Sequence, residues 1–283
     1  MKLLSSNQYI VISALVTPFQ ENLEIDYESL KRLTEHQIQH SIDGIVILGT
    51  TGESPTITQN ERLQLIESVI KYTNKRCDVL VGTGSNSTQK TIEWTNEAKS
   101  LGADASLIVT PYYNNPSNEE IYNHYKMIES KTQFPFFLYH VPKRTGSCLD
   151  QSTINKILNL NYCIGFKDAT SNTEWIQSYP KGKILLDGDD YNAAHYCKNG
   201  GNGVISVISN AYPKLMGKHL HTKSKKLELL IKALSCHVNP VPIKALLEQL
   251  NVIATDKTRP PLHSLNPNLK RLLKEHHILE EIL

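Results

Sequence analysis

The chain has 283 residues, with 40% hydrophobic and 20% charged side chains and a formal net charge of +2. That length allows one large α/β domain, or one with a small appendage. The near-neutral balance argues against nucleic acid as the main partner, because a phosphate-tracking protein carries a concentrated basic face. The densest basic run, Lys223-Ser224-Lys225-Lys226, reads as the solvated side of a helix. Five scattered cysteines without Cys-x-x-Cys spacing suit free thiols in a reducing compartment. Met1-Lys2-Leu3-Leu4 gives way to Ser5, Ser6, Asn7 and Gln8, without a signal peptide's apolar core, and no apolar stretch is long enough to span a membrane. A cytoplasmic protein that meets neither membrane nor nucleic acid is expected.

Short apolar, β-branched runs alternate with helical patterns along the chain. Strands are expected at 9–16, 44–48, 79–81, 105–109, 136–139, 162–166, 184–186 and 203–206. Between them, a helix from Tyr27 turns Leu30 and Leu33 inward. Thr58 with Glu61 forms a capping box ahead of Leu63, Ile66 and Ile70 at helical spacing. A third helix stops at Gly102, Ser117 with Glu120 caps a fourth, and helical stretches follow over 153–158 and 173–179. Eight strands in βα alternation at this length predict an α/β fold, a parallel (β/α)₈ TIM barrel over 1–226. The doubly wound alternative wants Gly-x-Gly-x-x-Gly, and Gly82 to Ser87 lacks the third glycine. From about Lys226 the pattern is all-helical (227–234, 243–250, 269–283), which predicts a small C-terminal helical domain over 227–283.

The informative oddity is Lys167, ending the apolar run Tyr162 to Phe166. An unpaired ammonium is among the last groups expected in a core. At the carboxyl end of a parallel strand it would instead sit at a cavity mouth, where desolvation favours a neutral, nucleophilic amine; the plain alternative is a lysine snorkelling to water. The other strand ends supply Thr50, Thr51, Tyr112, Tyr113, Tyr139, Arg144, Gly188 and Ile205, which amount to hydroxyls, one arginine and one lysine without a carboxylate pair. Gly49-Thr50-Thr51-Gly52-Glu53-Ser54 could bind a small carboxylate through backbone amides and hydroxyls, or be a glycine-rich turn. It lacks the Gly-Lys-Ser/Thr of a Walker loop. Taken singly, Tyr139 reads as a packed aromatic and Arg144 as a surface arginine. His36 and His40 have a zinc-compatible i, i+4 spacing but no surrounding His-Glu-x-x-His, so they read as a solvated helix face, as do His219 and His221; no metal site is expected. Met127 and Trp94 read as packing residues.

Together these motifs resemble the dihydrodipicolinate synthase family, of the pyruvate-dependent Schiff-base aldolases. The resemblance runs over nearly the whole chain, in order: Gly49 to Ser54, Thr110-Pro111-Tyr112-Tyr113, Tyr139-His140-Val141-Pro142 through Arg144-Thr145-Gly146, Gly165-Phe166-Lys167-Asp168-Ala169, Gly188-Asp189-Asp190, Gly203-Val204-Ile205-Ser206 and Asn239-Pro240-Val241-Pro242-Ile243-Lys244. It implies that Lys167 forms an imine with pyruvate, that Tyr139 shuttles protons, and that Thr51 links Tyr139 to a Tyr113 supplied by a neighbouring subunit. Thr50 and Thr51 would hold the pyruvate carboxylate, with Gly188 and the Ile205 backbone lining that pocket, and Arg144 would receive the carboxylate of L-aspartate 4-semialdehyde. No cofactor beyond the lysine imine is implied, and the assembly would be a homodimer or a homotetramer built from two dimers.

Three alternatives stand beside this reading: 2-keto-3-deoxy sugar acid aldolase, N-acetylneuraminate lyase, and a non-catalytic pyruvate-binding relative. Arg144 speaks against the lyases, and retention of Lys167, Tyr139, Thr51 and Tyr113 against a retired enzyme. Two departures from the family pattern stand out. His140 replaces the usual asparagine after the tyrosine. At the family's lysine-inhibition site Ser54, Asn86 and Tyr112 are present, but Lys90 replaces a glutamate and Gln59 a histidine. A cation facing a cationic inhibitor is unfavourable, so weak or absent feedback is expected.

Overall fold

A computed structural model describes residue 3 and residues 8–275. Eight parallel strands pair each with the next, and β8 with β1, to close a barrel. They are β1 (Ile10–Ala14), β2 (Gly44–Ile47), β3 (Asp78–Gly82), β4 (Ala105–Val109), β5 (Phe136–His140), β6 (Cys163–Asp168), β7 (Ile184–Asp187) and β8 (Gly203–Ser206). Around them run α1 (Tyr27–Gln39), α2 (Gln59–Thr73), α3 (Thr88–Ser100), α4 (Asn118–Thr132), α5 (Pro142–Thr145), α6 (Gln151–Leu158), α7 (Ala193–Lys198) and α8 (Pro213–His221). The chain then turns into α9 (Lys225–Leu234), α10 (Val241–Gln249) and α11 (Pro267–Glu275). The helical reading of 269–283 holds to Glu275; residues 276–283 lie outside the described residues.

Both capping boxes form. Thr58 and Ser117 accept the amides of Glu61 and Glu120, whose carboxylates reach back to the cap amides. On α2 the inward stripe is Arg62, Leu65, Ile66, Val69 and Thr73, with Leu63 and Ile70 half-buried at its edge. The stretch 173–179 holds only a 3₁₀ turn, Ile176–Ser178. Ahead of it the Asp168 carboxylate takes the amides of Thr170 and Asn172, and the Asn172 side chain takes the Glu174 amide, so the chain from 168 to 174 runs as successive side-chain-closed turns. His36 and His219 are not solvated as expected. His36 is half-buried, with Nε2 3.0 Å from the Ala211 carbonyl. His219 is buried, and its Nδ1 accepts the Ser224 amide. Met127, expected to pack, is exposed.

Strand alternation sorts side chains into two layers. Ile12, Val46, Leu80, Leu107, Phe137, Leu186 and Ile205 fill the barrel. Phe136, Leu138 and Phe166 face outward onto Ile121, Tyr125, Ile128 and Ile157 of α4 and α6. The pairing of β5 with β6 contains an irregular step: Phe136 stands opposite Cys163, but Phe137 stands opposite Gly165. The extra residue, Ile164, shifts the inward–outward phase of β6. Gly165 and Lys167 therefore share the inward side with Phe137 and Tyr139, while Phe166 and Asp168 turn out. Gly165 is required sterically, since a Cβ there would lie 2.4 Å from both the Phe137 ring and the Ile184 carbonyl. Gly165→Ala is accordingly expected to destabilise the fold by about 2 kcal/mol or more, read as a lowered urea midpoint at unchanged slope.

Candidate active site

The barrel's carboxyl-end rim carries the candidate residues. Lys167 lies one residue from the end of β6 with only 7% of its surface exposed. It stands opposite Tyr139 in the ladder, and its Nζ is 4.4 Å from the centroid of the Tyr139 ring. The aromatic face thus offers the amine an attraction of about 0.5–2 kcal/mol in place of water. Gly188 leaves room beside it, because a Cβ at that position would meet the Lys167 Cε at 3.1 Å. Ile205 is a wall of the barrel interior at the level of Ile12.

Beside the Tyr139 ring a cavity of about 440 Å³ opens, lined among others by Thr50, Ser54, Tyr112, Tyr139, Arg144 and Thr145; Lys167, Gly188 and Ile205 are not among its lining residues. Thr51 is buried just behind its wall. The loop carrying Arg144 is fixed at both ends. The Arg144 amide donates to the Val141 carbonyl, and the Ser147 hydroxyl donates to the Pro111 carbonyl. The Arg144 side chain itself is exposed at the mouth and makes no ion pair among the described residues. Val238, Asn239, Pro261 and Leu262, from the segments flanking α10, complete the wall.

Two expected partners lie apart from this cluster. Tyr113 has a left-handed backbone (φ +74°) and is 93% exposed, so it points away from its own barrel. Lys90 is exposed on α3, with its amine 5.1 Å from the Trp94 ring centroid. Asn86 is half-buried, and its carbonyl accepts the Asn114 side chain.

Asp168, next to Lys167 in sequence, does not share its surroundings. Asp168 and Asp187 pair across β6 and β7 on the outward side. Burial raises both, Asp187 to about 8, and Asp187 takes the Ser171 hydroxyl and the Asp189 amide. The reactive rim is therefore one of hydroxyls and cations. His140 also turns outward; it is buried, with Nδ1 unpartnered, so the residue that departs from the family pattern does not face the cavity.

Residues that sequence reasoning missed are the contacts holding the Thr50–Thr51 loop. Glu53, Lys244 and Arg259 form a buried cluster across it. Glu53 and Lys244 both stand in motifs noted above, but a separation of 191 residues gives no spacing by which to pair them.

The chain is similar to known proteins in sequence and in fold. The sequence model of the Dihydrodipicolinate synthetase family matches residues 8–280. A 4-hydroxy-tetrahydrodipicolinate synthase of Coxiella burnetii is 42% identical over 252 residues, covering 85% of this chain and 87% of that one. The Protochlamydia amoebophila protein of the same name is 40% identical over 289 residues, 95% of each. The chloride-inhibited dihydrodipicolinate synthase of Acinetobacter baumannii, solved with pyruvate, superposes with a TM-score of 0.90 at 36% identity over 96% of this chain and 98% of that one.

Two buried histidines set a pH dependence. Burial lowers His124 and His140 from 6.5 to about 4. The unfolded chain takes up their protons near 6.5, whereas the native chain does so only near 4, so stability falls as pH drops through that window. Asp187, raised to about 8, works in the opposite sense over the same window, so the histidine contribution is read by difference: in thermal unfolding at pH 7 and pH 4.5, His140→Asn should change in stability less unfavourably than the parent, by roughly 1–3 kcal/mol.

Proposed function

The chain belongs to the dihydrodipicolinate synthetase family, and from that premise we propose that it condenses pyruvate with L-aspartate 4-semialdehyde as a Schiff-base lyase of lysine and diaminopimelate biosynthesis. The observation that carries the reading is the Lys167 amine, buried at a strand end against the face of Tyr139, a ring that also lines the cavity bearing Thr50 and Arg144.

Lys167 attacks the keto carbon of pyruvate, and loss of water gives a protonated imine whose nitrogen acts as the electron sink. Thr50 and Thr51 hold the pyruvate carboxylate, beside Gly188 and Ile205. Tyr139 takes and returns the protons of these steps. Removing a proton from the imine's methyl group gives the enamine, whose carbon attacks the aldehyde. Arg144 grips the aldehyde substrate's carboxylate as a bidentate fork. That substrate's amine then attacks the imine carbon, closing the ring and returning Lys167 as a free amine. No step calls for a metal or an organic cofactor.

Tyr113 supports a homodimer as the least active unit. A phenol 93% exposed on a strained left-handed residue suits insertion into a partner's site, next to the partner's copy of Thr51. A homotetramer of two such dimers is compatible with the same contact. The cytoplasm is the proposed compartment, in keeping with five free cysteines, three of them buried. We divide the work between residues 1–226, which carry the chemistry, and 227–283, which brace it.

Two outcomes test the reading. Borohydride with pyruvate should add one stable reduced adduct to Lys167 by mass spectrometry. Lys167→Ala should show none, and turnover of aspartate semialdehyde should exceed that of sugar-derived aldehydes; trapping without that turnover points to the other aldolases. Separately, Lys90 is exposed with its amine 5.1 Å from the Trp94 ring, which shares a cavity lining with Ser54 and Tyr112, and a cation there disfavours a cationic inhibitor, so millimolar lysine should leave the rate essentially unchanged. Strong inhibition by lysine would sink that part.

A further inference from the structure

The loop that carries Thr50 and Thr51 is shaped by unfavourable local geometry and held by distant groups. Gly52 has no room for a Cβ, which would meet the Leu48 amide nitrogen at 3.1 Å and the Leu15 carbonyl at 3.2 Å. The next residue, Glu53, takes the left-handed conformation (φ +54°), an uncommon state for a side chain of its kind. Its amide donates to the Thr50 carbonyl, and the Ser54 amide donates to the Gly49 carbonyl, closing a compact turn around the two threonines.

Both Glu53 oxygens are taken by the end of the chain. Oε1 accepts the Lys244 ammonium at 2.5 Å, and Oε2 accepts the Arg259 backbone amide at 2.9 Å. Lys244 also donates to the Lys257 carbonyl, and its side chain is 0% exposed against 2% for Glu53. Arg259 extends the grip downstream: its guanidinium forks onto Glu61 and donates to the carbonyls of Thr56 and Leu23. Both cations lie over the Phe19 ring, at 4.1 Å for Lys244 Nζ and 4.5 Å for Arg259 Cζ.

A buried ion pair is weak evidence for net stability, because desolvation offsets most of the attraction. Its dependable effect is directional, since a carboxylate with both oxygens hydrogen-bonded has one orientation. We infer that the Lys244–Glu53–Arg259 cluster is a positioning device that sets the Gly49–Ser54 turn, and through it the pyruvate-carboxylate site at Thr50 and Thr51. None of the three reaches the reacting atoms. The inference rests on the assignment of Thr50 and Thr51 given above, and it gives the C-terminal helices a role in substrate binding.

The test compares the parent, Lys244→Met and the double variant Glu53→Gln/Lys244→Met, with borohydride trapping of pyruvate on Lys167 as readout. The double variant removes both charges, so it should fold and recover most of the stability lost by Lys244→Met alone. It should nevertheless need roughly tenfold more pyruvate for half-maximal trapping, at a maximal trapping rate within about twofold of the parent. That split marks a displaced binding turn beside an intact amine. If Lys244→Met alone does not fold, the double variant carries the comparison. A folded double variant with the parent's half-saturation overturns the inference, leaving the cluster merely structural. A parent that never traps pyruvate overturns the functional reading instead, so the two failures are distinguishable.

Discussion

Everything at the rim depends on the inward–outward phase of β6. Side chains on a strand alternate between faces, so a lysine one position out of phase would lie among the helices and Asp168 would enter the barrel. The irregular step opposite Phe136 and Phe137 sets that phase. It brings Lys167 level with Tyr139 and puts the smallest residue, Gly165, where the Phe137 ring crosses the barrel interior. A bulge is therefore what turns a buried β-strand into one with a reactive end. Its cost to the ladder is confined to the amino-terminal part of β6, away from the cavity.

Much of the architecture could be read from residues alone because it repeats. Each strand is short, apolar and β-branched, and two helices announce their starts with boxes at Thr58/Glu61 and Ser117/Glu120. Motif order points to the family, and Thr50, Tyr139 and Arg144 share one cavity lining. The bulge was not legible, since Ile164 looks like any other residue of an apolar run. Nor is the short turn at 173–179 legible: the stretch has the composition of a helix, but it follows side-chain-closed turns at Asp168 and Asn172 and forms only the 3₁₀ turn Ile176–Ser178. The polar neighbours of His219 suggest solvent, yet the Ser224 amide satisfies one of its ring nitrogens inside the fold.

The least legible part was long-range polar pairing. Periodicity reports which face of an element is buried and gives no information about which buried charge meets which. Lys244 sits on a helix whose face is otherwise apolar, with Val241, Ile243, Leu246 and Leu247 around it. Hydrophobic packing brings α10 to the barrel, where Leu227, Val241, Ile243, Leu246 and Leu273 share one core with Val11, Leu15 and Leu65. The ion pair then specifies the orientation in which that helix docks. Apolar area supplies attraction without direction, and the charged cluster supplies direction with little net attraction.

That arrangement also bears on the order in which the molecule is made. The Lys244–Glu53 contact closes a loop of 191 residues, so the turn holding the two threonines emerges from the ribosome long before the groups that orient it. Eight strands can be synthesised and still leave this turn without its tether. The turn at Thr50 and Thr51 is therefore completed only after α10 has been made, and a nascent chain released before that point would carry Lys167 without this tether.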